Sequence, residues 1–226
     1  MTPVWPALVV IPVAAFAYVR YGRPWQLTWG ATPAEVLRAL PGDELVERPT
    51  FNATRAITIA ASPEEIWPWL VQVGVTRAGW YSYDVLDNFM RPSADRIVPE
   101  LQALAPGDVM GMSPDGKQGI KVHALDPPTT MIWATLPDTT WVWQLDAQRD
   151  GATRLLTRVR ARYRWLSPSI AFSMLLEFAD IWMLRKMLFN LRDRAESHPM
   201  TDPTTRVGEQ NVRHRSETQH TTTRAS

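Results

Sequence analysis

The stretch ATRAITIAASPEEIWPWLVQVG, residues 53–74, decides the fold, because it carries two periodicities and the punctuation between them. Over residues 54–59 the pattern alternates, with Ile57 and Ile59 on one face, and predicts a strand. Ser62, Pro63 and Glu65 then supply an N-cap hydroxyl, a proline at the first helical position and a glutamate at the third, a capping box that opens a helix. Ile66, Trp69, Leu70 and Val73 recur at helical spacing up to Gly74. Pro68 removes one backbone hydrogen bond inside that helix and is expected to kink it.

Toward the C-terminus, residues 120–125, 131–136, 140–145 and 155–164 read as further strands. The last places Leu155, Thr157, Val159, Ala161 and Tyr163 on one face and Arg158, Arg160, Arg162 and Arg164 on the other, so the arginine face is expected to be wet. On a tethered domain those arginines could touch anionic lipid heads. Asp150-Gly151 predicts a hairpin turn between the last two strands, and Asp115-Gly116 marks another turn. Ser167-Pro168 then opens an apolar-rich run to about Glu196, roughly 45 Å long if helical. Its charges, Glu177, Asp180, Arg185, Lys186 and Arg192, weigh against a membrane span, so its apolar face is expected on the sheet. Strand, helix, antiparallel strands and long helix make an α+β layout with the helices on one face.

Composition narrows the function classes. A chain of 226 residues with 45% hydrophobic content suits one good core with accessory segments. A net charge of +1 weighs against nucleic acid as the partner. Cysteine is absent, which excludes a disulfide framework, a thiol nucleophile and a thiolate metal site. Of the four histidines, His198, His214 and His220 lie in a polar tail and only His123 lies in the body, on the parity of Lys121 and facing water. No metal or cofactor is implied. Tryptophan is the outlier with eleven residues, and such a set must line a core, a cavity or a membrane interface.

The two ends differ in character. VWPALVVIPVAAFAYV, residues 4–19, has no charge and is followed by Arg20, Arg23, Trp25 and Trp29. As a helix it reaches about 24 Å, short of the roughly 30 Å hydrocarbon core. The expectation is an uncleaved single-pass anchor over residues 1–23, with the arginines after it placing the following domain in the cytoplasm. A cleaved signal, with Ala15-Phe16-Ala17 as its site, and a buried soluble segment are the alternatives. Residues 24–50 are expected as a membrane-proximal linker, residues 51–196 as the folded domain and residues 197–226 as a disordered tail.

Residues 53–74, GWYSYDVLDN (79–88), SADRIVPEL (93–101) and APGD (105–108) together resemble bacterial members of the START and polyketide-cyclase superfamily, SRPBCC. The resemblance runs from about residue 50 to 196, and RPWQLTWGAT (23–32) is similar to what precedes this domain in such proteins. It implies a helix-grip fold, a curved antiparallel sheet wrapped around the long C-terminal helix with an apolar cavity between them. Relatives bind lipids, sterols, polyketides or plant hormones, and a minority catalyse cyclisation or hydrolysis.

Candidate binding residues follow from both lines. Trp141, Trp143 and Leu145 share one strand face, and Met131 and Trp133 share another, so three indoles are expected to meet the long helix near Phe178 and Trp182. Ser82 is expected to cap a short helix over residues 83–90, with Leu86 and Phe89 facing the core. Trp80, Tyr81, Tyr83, Asp84 and Arg96 are then the candidates for the cavity mouth. Glu177 and Asp180, one turn apart, are either a solvated stripe or polar cavity contacts. The expected function is a membrane-tethered binding protein for a hydrophobic small molecule or lipid, with no catalytic residue assigned. The alternative is a cyclase or hydrolase using Tyr81, Tyr83, Asp84 or Arg96 as acid–base groups.

Overall fold

Both bonds of the capping box form: Ser62 Oγ accepts from the Glu65 N–H at 3.3 Å, and the Glu65 carboxylate accepts from the Ser62 N–H at 2.8 Å. The computed structural model describes residues 10, 12–13, 16–162 and 170–198, with the backbone alone for 170–179. The helix that the box opens, α3, spans Pro63–Val71 and contains Pro68. It is preceded by the short helices α1 (Arg23–Thr28) and α2 (Pro33–Leu37) and followed by α4 (Ile170–Ser197).

Six strands form one curved antiparallel sheet, β1 (Phe51–Ile59), β2 (Val109–Gly111), β3 (Gly119–Asp126), β4 (Thr130–Thr135), β5 (Thr139–Ala147) and β6 (Thr153–Ala161), in the order β1-β6-β5-β4-β3-β2. The class is α+β, as expected. All four anticipated sheet strands after α3 are present, and the three-residue β2 at the edge is an addition. Gly151, at φ 84°, turns β5 into β6, and Gly116, at φ 68°, lies in the turn between β2 and β3.

One face of the sheet carries the main core. Ile57, Ile59, Leu155, Met131, Trp133, Trp143 and Leu145 pack with Ile66, Trp69 and Leu70 of α3 and with Leu184, Leu188, Leu191 and Ala195 of α4. The α4 positions recur at three- and four-residue steps, which puts them on one stripe of a helix about 42 Å long. Each fully buried aliphatic or aromatic side chain contributes about 1.5–3 kcal/mol, so this layer dominates the stability.

The other face corrects two expectations. Most of it is not wet, Arg162 alone of its described arginines being exposed while Tyr163 and Arg164 lie outside the described residues, and residues 24–50 are not a linker. After α1 lies beside β1, the Ala56 N–H donates to the Trp29 carbonyl at 3.1 Å, and the chain passes over the outer edge of the sheet. Gly30 makes that passage: its φ is +73°, and a Cβ there would lie 2.1 Å from the Ala56 carbonyl oxygen. The segment then crosses the back of the sheet as a strap, burying Leu40 against Ile132 and Val142. The strap also satisfies the arginines. Arg154 pairs with Glu35, while Arg158 and Arg160 both reach Asp43. A stripe of arginines is expected to face solvent because unpaired buried charge is costly. Here carboxylates and carbonyls from a segment more than 100 residues away in sequence supply the partners.

Glu35 also closes the capping box of α2, accepting from the Thr32 N–H at 2.7 Å. The Arg154 guanidinium, aided by that backbone bond, holds the Glu35 carboxyl at about 2, against an ordinary glutamate value of 4.5. A carboxyl lowered in the folded state adds stability that is present above its unfolded pKa and lost as pH falls through the folded one. Urea midpoints should therefore fall between about pH 5 and pH 2, and Glu35→Gln should flatten that part of the profile. An unchanged slope in the variant would assign the acid sensitivity to other carboxylates.

Candidate functional site

A buried side-chain amide with all its hydrogen-bonding capacity used helps to anchor the chain between α3 and β2. Gln72, fully buried, donates to Tyr81 Oη (2.8 Å) and the Arg96 carbonyl (3.0 Å) and accepts from the Val98 N–H (2.9 Å) and Gln102 Nε2 (3.2 Å). Two further bonds staple the start of this loop to α4: Asn190 Nδ2 donates to the Tyr81 carbonyl (2.8 Å), and Ser82 Oγ donates to the Met183 carbonyl (2.9 Å).

Beyond these staples the expected helix over 83–90 does not form. The segment is a succession of turns, with positive φ at Tyr81, Phe89 and Met90. The reason is local competition for backbone donors and acceptors. The Asp84 carboxylate accepts from the Ser93 hydroxyl (2.6 Å) and the Ser93 N–H (3.1 Å), and Asn88 Nδ2 donates to the Arg91 carbonyl (2.5 Å). Leu86 and Phe89, expected in the core, are 69% and 50% exposed.

These side chains rim a pocket of about 400 Å³. Its loop wall is Trp80, Ser82, Leu86, Asp87 and Phe89, its sheet wall is Trp141 with Met112 just past β2, and its helix wall is Asp180, Met183, Leu184 and Met187. The exposed Leu86, Phe89 and Met112 mark the side that opens to solvent. Trp80 and Trp141 lie parallel, with ring centroids 5.9 Å apart and planes 6° apart, and Trp133 stands edge-on to both.

Two carboxylates line the pocket in different electrostatic states. Asp180 Oδ2 accepts from Arg55 Nη1 at 2.5 Å, and Arg55 is fully buried, with Nε donating to the Gln26 carbonyl at 3.0 Å. Among the described residues Asp87 forms no ion pair; both of its oxygens are buried, and neither makes a well-formed hydrogen bond. Burial pushes the Asp87 carboxyl above the usual aspartate range, against the opposing pull of Ser82 and local backbone groups, and the Asp84 charge adds the least to the rise.

The anticipated site residues separate into groups. Trp80 and Trp141 line the pocket. Trp133 and Trp143 lie behind them, fully buried in the core. Tyr81 is also buried: desolvation pushes its phenol up to about 12, and Arg194 sits over its ring at 4.7 Å. Tyr83 lies under Lys186 Nζ at 4.2 Å, Asp84 is committed to Ser93, and the Arg96 side chain is exposed. Trp182, 43% exposed, meets Trp25 at 6.2 Å instead of the pocket. The Phe178 and Glu177 side chains lie outside the described residues. His123 faces solvent, as anticipated.

Asp87, Met112, Met183 and Met187 escaped the sequence reading. A signal for one wall was available: Asp180, Met183, Leu184 and Met187 recur at helical spacing, which sets an acidic residue on an apolar stripe. No metal-binding cluster of acidic and histidine residues occurs among the described residues. Among them, too, no helix is long and apolar enough to cross a membrane; the run 4–19 lies in large part outside them.

No protein-family model and no curated protein matches the chain. Solved structures with similar folds include protein NE0264 from Nitrosomonas europaea, 16% identical over 70% of this chain and 99% of that one, TM-score 0.40. Another is the Polyketide_cyc-like protein Cgl2372 from Corynebacterium glutamicum, 14% identical over 62% and 88%, TM-score 0.38. A third is the conserved protein of unknown function EF2215 from Enterococcus faecalis, 12% identical over 76% and 88%, TM-score 0.37. Likeness at this level decides nothing about the function of this chain.

Proposed function

We propose that this chain is a binding protein that holds a hydrophobic small molecule or lipid between the sheet and α4, in the helix-grip manner, and that residues 1–23 tether it to a membrane. The observation that carries the proposal is the tryptophan- and methionine-walled pocket of about 400 Å³, open along an apolar rim. Its volume falls in the range of about 300–1,000 Å³ that suits small-molecule ligands. The tether is supported by the uncharged run 4–19 and by the Trp25–Trp182 contact, which sets the start of the fold one residue from Met183 of the pocket wall. An apolar ligand leaving a bilayer would then have a short path. The residues anticipated as acid–base groups, Tyr81, Tyr83, Asp84 and Arg96, do not converge on the pocket, so no reaction is assigned to them.

Titration of the full-length chain with a brominated octanol is the test. Saturable quenching of tryptophan fluorescence is expected, and Met112→Trp, which fills the exposed rim, should weaken it about tenfold, the effect of losing part of a small apolar site. Non-saturable quenching, or binding indifferent to that substitution, would overturn the pocket. Recovery of the full-length chain away from membranes on cell fractionation would overturn the tether.

A further inference from the structure

The loop that rims the pocket ends in an apolar tip. Val85, Leu86, Phe89 and Met90 are 50–78% exposed. Exposed apolar side chains are ordinary one at a time, but these four crowd into six residues and form a patch. The tip is held in place: the Met90 N–H donates to the Asp84 carbonyl at 2.8 Å, Asn88 Nδ2 ties off the Arg91 carbonyl, and Phe89 and Met90 sit at φ 50° and 65°. Side chains rarely adopt that left-handed region, so the fold keeps a strained backbone at the two residues it leaves uncovered. The acids within the tip are engaged or enclosed, Asp84 by Ser93 and Asp87 with both oxygens buried.

Beside the tip lies a collar of aromatic and cationic side chains. Trp182 and Lys186 are one turn apart on α4, and each meets a different element. Trp182 meets Trp25 of α1 at 6.2 Å, and Lys186 Nζ lies over the Tyr83 ring at 4.2 Å. One face of α4 thus joins the start of α1, toward which the uncharged run 4–19 leads, to the base of the tip. All three of these aromatic rings are exposed. Exposed indoles, phenols and amines settle at the boundary between lipid headgroups and hydrocarbon, with aliphatic side chains beyond them. Arg91, exposed at the end of the tip, adds positive charge suited to lipid phosphates. A stable protein interface uses roughly 20–30 residues a side, far more than this tip offers, whereas a bilayer needs no complementary surface.

We infer that residues 85–90 insert into the bilayer interface as a second membrane contact, with Trp25, Trp182, Tyr83 and Lys186 at headgroup depth. The pocket mouth, rimmed by Leu86 and Phe89, then opens into lipid instead of water. This rests on the tether and the pocket proposed above, and it adds which face of the domain meets the membrane.

The chain has no cysteine, so one introduced thiol takes a label at one place. Met90→Cys at the tip and Arg149→Cys in the β5–β6 turn, both exposed positions, are labelled in the full-length chain with an environment-sensitive fluorophore. The turn lies toward the far end of α4, since Thr153 Oγ1 donates to the Ala61 carbonyl and the Ala60 N–H to Glu196. On vesicles of equal parts phosphatidylcholine and phosphatidylglycerol, the label at position 90 is expected to shift to the blue, to gain several-fold in emission, and to lose that gain when the acyl chains carry bromine. The label at position 149 is expected to do none of these. A chain that floats with the vesicles while the label at position 90 stays in water, or equal changes at both positions, would overturn the inference and leave the tether standing. Failure to float would overturn both. A label at position 90 already blue-shifted before lipid is added, and unmoved by it, would assign the tip to a contact within the chain or with a second copy and would also overturn the inference.

Discussion

Arg158→Met lowers the stability of the fold by about 3–5 kcal/mol, the loss typical of removing one member of a buried ion pair. Arg158 is 2% exposed and uses its whole guanidinium. Nε donates to Thr54 Oγ1 (2.8 Å), Nη1 to the Arg38 carbonyl (2.8 Å) and Asp43 Oδ2 (2.6 Å), and Nη2 to the carbonyls of Glu35 and Val36 (both 3.0 Å). Methionine fills much of the volume and donates nothing, so several acceptors under the strap lose their partner at once. The loss does not measure what the pair adds over an apolar substitute, because most of it is the penalty on the groups left behind. Arg162, exposed and bonded to the Glu47 carbonyl at 2.5 Å, is the comparison. Arg162→Met should shift the urea midpoint by no more than about 1 kcal/mol equivalent. Similar losses in both variants would mean that the strap does not order the back of the sheet.

A chain lacking residues 1–50 fails to fold cooperatively, whereas one lacking residues 1–23 gives a single sharp transition. The first deletion uncovers Ile132 and Val142 on the back of the sheet and removes every strap partner of Arg154 and Arg158. It also takes away the carbonyl that pairs with the Ala56 N–H at the edge of β1 and the Gln26 carbonyl that holds Arg55. The summed loss is on the scale of a whole domain's stability, about 5–15 kcal/mol. The second deletion retains Trp25, Gln26 and Trp29, and with them the packing of α1 on β1. Circular dichroism during urea unfolding distinguishes the two, and a cooperative transition in the shorter chain would show that the strap is dispensable.

Much of the architecture was legible because it depends on short-range patterns. The capping box at Ser62 and Glu65, the strands β1 and β6 and the glycine turns are each set within a few residues and are present in the structure, although both faces of the two strands are largely covered. The strap was not legible, because nothing near Arg158 in sequence announces Asp43 as its partner. Without that partner, alternation of arginine with apolar residues reads as a half-solvated strand. The turns at 83–90 failed for a local reason: Asp84 and Asn88 occupy helical spacing but spend their side chains on Ser93 and Arg91. The tryptophans of β4 and β5 were placed on the correct sheet face, yet their division into core and pocket wall depends on how far the loop at 80–89 stands off α4. That distance is set by the Ser82 and Asn190 staples, and periodicity carries no trace of them.

The strap also imposes an order of events on a growing chain. Residues 30–48 and β1 are made first, yet Glu35 meets Arg154 across 119 positions and β1 pairs with β6, the last strand. Until β6 is synthesised, β1 has no strand to pair with and the strap lacks the arginines it closes over. Contacts this distant in sequence close slowly and leave partly folded chains exposed to self-association. Within residues 30–48 the four carboxylates Glu35, Asp43, Glu44 and Glu47 outnumber Arg38 and Arg48, so the strap itself is acidic and strongly polar. The same side chains that close the back of the finished sheet would thus keep the waiting strap hydrated while translation runs to the end.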